Sequence, residues 1–195
     1  GGRGKLSPEV MDTLQNVYLL NADDQFEPAV NPLNRYSTIG KGLSWQQVGP
    51  AYGFAKTMAT KKHPVGLIVN ARGGTSIRSW LKSTEKTGGL YYNEALRRTK
   101  EAMKYGKLKA IIWHQGEADC QYPEGYKKKI IKLMTDLRNA LEIPYNTRVA
   151  RSKSITGPYL GIDGANVTEG ADMYPVVTHP YKFANSDGWV GLSHC

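Results

Sequence analysis

The chain has 195 residues, 40% hydrophobic and 22% charged, a usage that excludes an intrinsically disordered or collagen-like polymer and leaves enough chain for one well-filled core. Its 26 Lys and Arg against 17 Asp and Glu give a formal net charge of +9, which brings nucleic acid, membrane surfaces and acidic polysaccharide into consideration. The densest basic groups argue against a reader of nucleic acid: Lys127, Lys128, Lys129, Lys132 and Arg138 on one segment, and Arg97, Arg98, Lys100 and Lys104 on another, fall within helical periodicity and read as solvated helix faces.

In chain order, Val17, Leu19 and Leu20 suggest a short strand, and Ala51, Phe54, Ala55 and Met58 a helix. Val65, Gly66, Leu67, Ile68 and Val69 read as a buried strand that ends in a glycine-containing turn, Ala71 to Ser76. Tyr92, Ala95, Leu96, Thr99, Ala102 and Met103 then share one side of a helix whose other side carries Glu94, Arg97, Arg98 and Glu101, with Gly106 as its stop. The strand pattern repeats from Leu108 to Trp113, and the polar run His114-Gln115-Gly116-Glu117-Ala118-Asp119 leaves directly from its carboxyl end. Pro123 suits the first turn of a further helix with an apolar stripe of Tyr126, Ile130, Leu133, Met134, Leu137 and Leu141. Beyond Ile143 the pattern fades, and only Pro175 to Thr178 reads as a weak strand.

This alternation from 65 to 141 predicts an α/β fold with a parallel sheet. The strands that start at Val65 and Leu108 are expected to lie parallel and adjacent. Ligands of open α/β sheets bind beyond the carboxyl ends of the strands, where both polar turns are placed. Gly73 and Gly74 let backbone N–H groups approach a ligand, while His114, Gln115 and Glu117 supply a base, an amide and a carboxylate, equipment for stabilising an oxyanion. The plainer alternatives are a tight connection at the glycines and a structural histidine at 114. No Gly-Lys-Ser/Thr follows the turn and no Gly-x-Gly-x-x-Gly spacing occurs, so nucleotide binding is not expected. His63, His114, His179 and His194 are scattered, so neither a metal site nor any other cofactor is expected.

Two cysteines, Cys120 and Cys195, build no disulfide framework. The longest apolar stretches, at 66–69 and 110–113, fall far short of the roughly 20 residues that span a bilayer. No zinc module or aromatic-interleaved basic stretch is visible, so neither nucleic acid nor a membrane is an expected partner. Gly1 is followed by no signal-like stretch, and location stays open with a slight preference for extracellular. Oligomeric state cannot be read.

Val65 to Ile68, then Ala71-Arg72-Gly73-Gly74-Thr75-Ser76-Ile77 with Trp80, then Leu108 to Asp119, then Tyr126 and Asp136-Leu137-Arg138, resemble the carbohydrate O-acetylesterases of the SGNH-hydrolase superfamily. These include the acetylxylan esterases of carbohydrate esterase family six and the sialate O-acetylesterase-like proteins. The Trp-His-Gln-Gly-Glu-x-Asp stretch is the specific part. The resemblance implies a flavodoxin-like three-layer α/β/α sandwich around a central parallel sheet, one domain over residues 1–195, and a metal-free serine hydrolase acting on an acetylated carbohydrate.

By the same resemblance Gly73 or Gly74 corresponds to the backbone donor of the oxyanion hole, Gln115 to the amide that completes it, and Glu117 to the acid that orients the histidine. His114 and Thr75 become candidate substrate-binding residues. The family's nucleophile lies in a Gly-Gln-Ser-Asn turn after a first strand. Gly2-Arg3-Gly4 matches the end of that run, so the Ser and about 5 to 8 residues of strand are expected upstream of Gly1. The family ends in Asp-Gly-x-His: Asp187-Gly188 fits, Val190 stands at the histidine position, and His194 is the nearest substitute. The helix that normally follows is absent from the sequence, which leaves three readings: an incomplete or misread tail, a longer loop that brings His194 to the site, or a copy that has lost activity. A non-catalytic carbohydrate-binding or storage protein on the same fold is the alternative.

Overall fold

The computed structural model describes residues 4–37, 46–83, 89–143 and 148–151, and these form an α/β fold. The expected strand at 175–178 lies outside the described residues, as do Asp187 and His194. The chain divides into two compact units, Gly1–Gly73 with Arg97–Gly106, and Gly74–Leu96 with Lys107–Cys195. Among the described residues no helix is long and apolar enough to cross a membrane.

In the first unit, strand β1 (Val17–Leu20) buries Val17, Leu19 and Leu20 and exposes Tyr18. It pairs antiparallel with β2 (Phe26–Pro28) and parallel with β3 (Val65–Leu67), giving the order β2-β1-β3. Asn21 makes the tight return possible: its Oδ1 accepts from the N–H groups of Asp23 and Gln25, each at 3.0 Å, an Asx turn that replaces backbone partners. Gly66, in register with Tyr18, lies beneath the Phe26 ring, where an added Cβ would sit 2.9 Å from Phe26 Cζ. Helix α1 (Pro50–Met58) starts with proline at its first turn and buries Ala55. Leu14, Val17, Leu19, Ala29, Leu33, Ala55 and Leu67 form this unit's core.

Helix α2 (Leu90–Ala102) supplies Arg97 and Arg98 to the first unit and Tyr92 to the second. The expectation that Arg98 belongs to a solvated face is wrong: its side chain is fully buried and donates to the backbone carbonyls of Leu20, at 2.9 Å, and Tyr36. Carbonyl acceptors at its two terminal nitrogens offset part of the cost of burying a guanidinium. Arg138 is likewise buried, whereas Lys127, Lys128 and Lys132 are exposed as expected.

In the second unit, strand β4 (Ala110–Trp113) pairs parallel with β5 (Arg148–Arg151). Among the described residues β3 has its ladder with β1 and β4 has its ladder with β5, so the expected direct pairing of the strands at 65 and 108 is not made. Strand periodicity identifies a strand but not its neighbour, and strands successive in a sequence pair in only about two cases of three. Helix α3 (Pro123–Leu141) buries Tyr126, Ile130, Leu133, Met134 and Leu141, a stripe at helical spacing, and packs on the 3-10 turn Ile77–Trp80. Glu142 closes α3 in the left-handed region, with its N–H directed at the carbonyls of Arg138 and Asn139.

Candidate active site

The turn that opens the second unit begins at Gly74, whose φ of +69° glycine adopts readily and most other residues rarely; a Cβ there would meet nothing within 4 Å, so the side-chain direction is open. Gly73, in the first unit, is also exposed. Thr75 comes next, its Oγ1 accepting from Trp80 Nε1 at 3.0 Å. Ser76 Oγ accepts from the N–H of Arg78 at 3.2 Å and so caps the Ile77–Trp80 turn.

The second segment leaves β4 at Trp113 and is turned sharply by Gly116, at φ 156°, into the 3-10 turn Glu117–Asp119. Gln115 is the hub of this segment. Its Nε2 donates to the Thr75 carbonyl at 2.9 Å and to Asp119 Oδ2 at 2.7 Å, and the same carboxylate oxygen accepts from the Ile77 N–H at 2.8 Å. Turning the amide over would set its oxygen against two acceptors, so its orientation is fixed by its partners. Both Gln115 amide hydrogens are therefore engaged, and its Oε1 is buried without a hydrogen-bond partner. Behind Gln115, the buried Tyr126 hydroxyl donates to the Gln115 carbonyl at 2.6 Å and accepts from Trp113 Nε1 at 2.9 Å. The Trp113 and Trp80 rings meet edge to face at 5.5 Å.

His114 and Glu117 flank Gln115 and Gly116 in sequence. His114 Nε2 is 3.6 Å from Glu117 Oε1, a charge contact when the imidazole is protonated rather than a hydrogen bond. Glu117 Oε2 accepts from the Gly116 N–H at 3.1 Å. Burial holds the His114 pKa below its ordinary value of 6.5, and Glu117 pulls it partly back upward. Among the described residues no group of His, Cys, Asp or Glu side chains is arranged to hold a metal ion.

A family model described as "Carbohydrate esterase, sialic acid-specific acetylesterase" matches residues 1–151. The chain belongs to this family. One relative, "Probable carbohydrate esterase At4g34215" of Arabidopsis thaliana, is 31% identical over 148 residues, which are 72% of this chain and 54% of the relative. The chain thus spans about half the length of that curated relative. The X-ray structure of the AT4G34215 protein from Arabidopsis thaliana is similar with a TM-score of 0.71 at 26% identity, covering 94% of this chain and 76% of that one.

The carbohydrate esterase family match takes in every described residue of the candidate site. Of the residues singled out in the sequence, Gly74, Thr75, His114, Gln115 and Glu117 fall in the second unit, and Thr75 and Gln115 are joined directly. Asp187 and His194 lie beyond the matched span as well as outside the described residues. Sequence reasoning assigns no role to Asp119 or Tyr126. Their signal is position: Asp119 sits four residues after Gln115 in the same polar run, and Tyr126 is the first residue of the α3 stripe.

Proposed function

We propose that the full-length protein is a carbohydrate O-acetylesterase of the SGNH type, a serine hydrolase on a flavodoxin-like sandwich of which residues 1–195 form part. The reading rests chiefly on one observation: Gln115 bonds the turn beginning at Gly74 to the turn after β4, next to an exposed glycine whose side-chain direction is open. The match of residues 1–151 to a carbohydrate esterase family supports it, and the sequence resemblance implies an oxyanion hole at these positions.

In this proposal a serine upstream of Gly1 attacks the acetyl carbonyl carbon, and His194 takes the hydroxyl proton, oriented by Glu117 or Asp187. The carbonyl oxygen becomes an oxyanion held by the N–H of Gly73 or Gly74 and by Gln115. Collapse breaks the bond to the sugar oxygen, which leaves with the proton from the histidine. Water, deprotonated by the same histidine, then releases acetate and restores the serine. His114 and Thr75 contact the substrate. Neither metal nor cofactor enters these steps.

A second reading, a carbohydrate-binding protein that keeps the fold without the chemistry, is favoured by Val190, which stands where the resemblance expects histidine. The two are separated by incubating the full-length protein with an aryl acetate and an acetylated oligosaccharide, and with a fluorophosphonate that labels activated serines. Acetate release together with a labelled serine supports the esterase. No release above buffer and no label overturns it in favour of the binding protein.

A further inference from the structure

Asp119 has a place in the site that family membership and the expected triad do not assign. Two donors converge on one of its oxygens, the Ile77 N–H at 2.8 Å and Gln115 Nε2 at 2.7 Å. Its backbone is pinned as well: its N–H donates to the Gly116 carbonyl and its carbonyl accepts from the Tyr122 N–H, both at 3.0 Å. The Glu117–Asp119 turn thus holds the backbone at Asp119, while the two donors hold its carboxylate.

The two hydrogens of the Gln115 amide are held unequally. One faces a carboxylate at 2.7 Å, the other a neutral carbonyl, that of Thr75, at 2.9 Å. Hydrogen bonds to an ionised acceptor are about twice as strong as neutral ones. The bond to Thr75 is the one that can be exchanged, and the bond to Asp119 is the one that keeps the amide in place during the exchange.

We propose that Asp119 is a positioning residue for the oxyanion hole: it anchors Gln115 through one amide hydrogen so that the other can pass from the Thr75 carbonyl to the oxyanion as charge develops. The same oxygen, by holding the Ile77 N–H, fixes the turn that begins at Gly74 and so sets the distance between the two halves of the hole. This proposal rests on the esterase reading above. It accounts for an amide that is expected to donate to substrate yet has both hydrogens engaged at rest.

The test compares Asp119→Ala and Asp119→Asn with the wild-type full-length protein, measuring kcat and KM on an aryl acetate and hydrogen exchange at the Ile77 amide. In Asp119→Ala, kcat is expected to fall at least about tenfold, with KM changed less than about threefold. Exchange at Ile77 should accelerate. Asp119→Asn retains an oxygen that can accept from both donors, so most of the lost kcat and of the protection should return. Should Asp119→Ala fail to fold, Asp119→Ser, whose shorter side chain cannot reach both donors, decides: its kcat must fall at least about threefold with KM little changed, and a kcat equal to the wild type overturns the role. A folded Asp119→Ala with wild-type kcat, or a loss confined to KM, overturns the positioning role while leaving the esterase reading intact. A wild-type protein that releases no acetate overturns the esterase reading and the positioning role together, although protection of Ile77 would still report the hydrogen bond.

Discussion

Removing the Tyr126 hydroxyl is the cleanest perturbation of the support behind the site. Tyr126 is almost fully buried, and its oxygen joins Trp113 Nε1 at 2.9 Å to the Gln115 carbonyl at 2.6 Å. Tyr126→Phe keeps the ring that fills the α3 stripe and deletes both hydrogen bonds. Each is worth about 1 kcal/mol net, and the orphaned donor and acceptor add a desolvation cost wherever water cannot replace the oxygen. Trp113 and Gln115 are only half-buried, so part of that cost is relieved, and the expected loss is about 2 kcal/mol. With a urea slope of about 2 kcal/mol/M for a domain of this size, the denaturation midpoint should fall by about 1 M at unchanged slope. Tyr92→Phe is an internal standard, because the hydroxyl of the buried Tyr92 donates to one acceptor, the Asp136 carbonyl at 3.0 Å; it should cost about half as much. A Tyr126→Phe shift below about 0.25 M, or one no larger than that of Tyr92→Phe, would refute the account of Tyr126 as a two-sided brace.

Three further outcomes are expected. Gln115→Ala should lower kcat on an aryl acetate about a hundredfold while leaving KM nearly unchanged, because the lost donor acts on the tetrahedral intermediate; steady-state kinetics that show an unaltered kcat would exclude Gln115 from the oxyanion hole. Gly74→Ala should cost about 1 kcal/mol from backbone conformation alone, since its Cβ meets nothing, and Gly74→Asn should cost less because Asn tolerates positive φ; thermal melts that rank the two variants equally would contradict this. His114 has a folded pKa below its unfolded value, so the unfolded chain binds more protons and stability must fall as pH drops below about 6.5, levelling off once the folded pKa is passed. Urea midpoints between about pH 7.5 and 5.5 should show a shallower acid slope in His114→Asn than in the wild type, and equal slopes would count against a buried neutral imidazole.

What the sequence makes legible here is what repeats along one element. Val17, Leu19 and Leu20 mark β1 as a short apolar run, and the stripe from Tyr126 to Leu141 marks α3, because burial on one face of a helix imposes a period that a reader can count. The three residues of β2 end in proline and have no room for alternation, and Arg148 to Arg151 offer no apolar run, so β2 and β5 carry no comparable signal. Arg98 misleads for a different cause: charge and helical spacing both say surface, whereas the carbonyls of Leu20 and Tyr36, contributed from far away in the chain, accept its donors in the interior. The candidate site divides in the same way. The residue types at 73–75 and 114–117 point to oxyanion chemistry, but the commitment of both Gln115 hydrogens depends on Thr75, 40 residues away, and on a carboxylate whose neighbour Ile77 lies 42 residues upstream. No local pattern encodes partners at that separation.

The burial of Arg98 also couples segments that lie far apart in the chain. Its two carbonyl partners lie 78 and 62 residues upstream, so the cation cannot leave water until β1 and the segment ending at Tyr36 have already taken shape. Closing loops of that length early would cost entropy with no compensating contact, and stripping the guanidinium of water before its acceptors arrive would cost more. The last turns of α2 can therefore bury this cation only where the end of β1 and the segment ending at Tyr36 present their carbonyls, so the three segments stand or fall together.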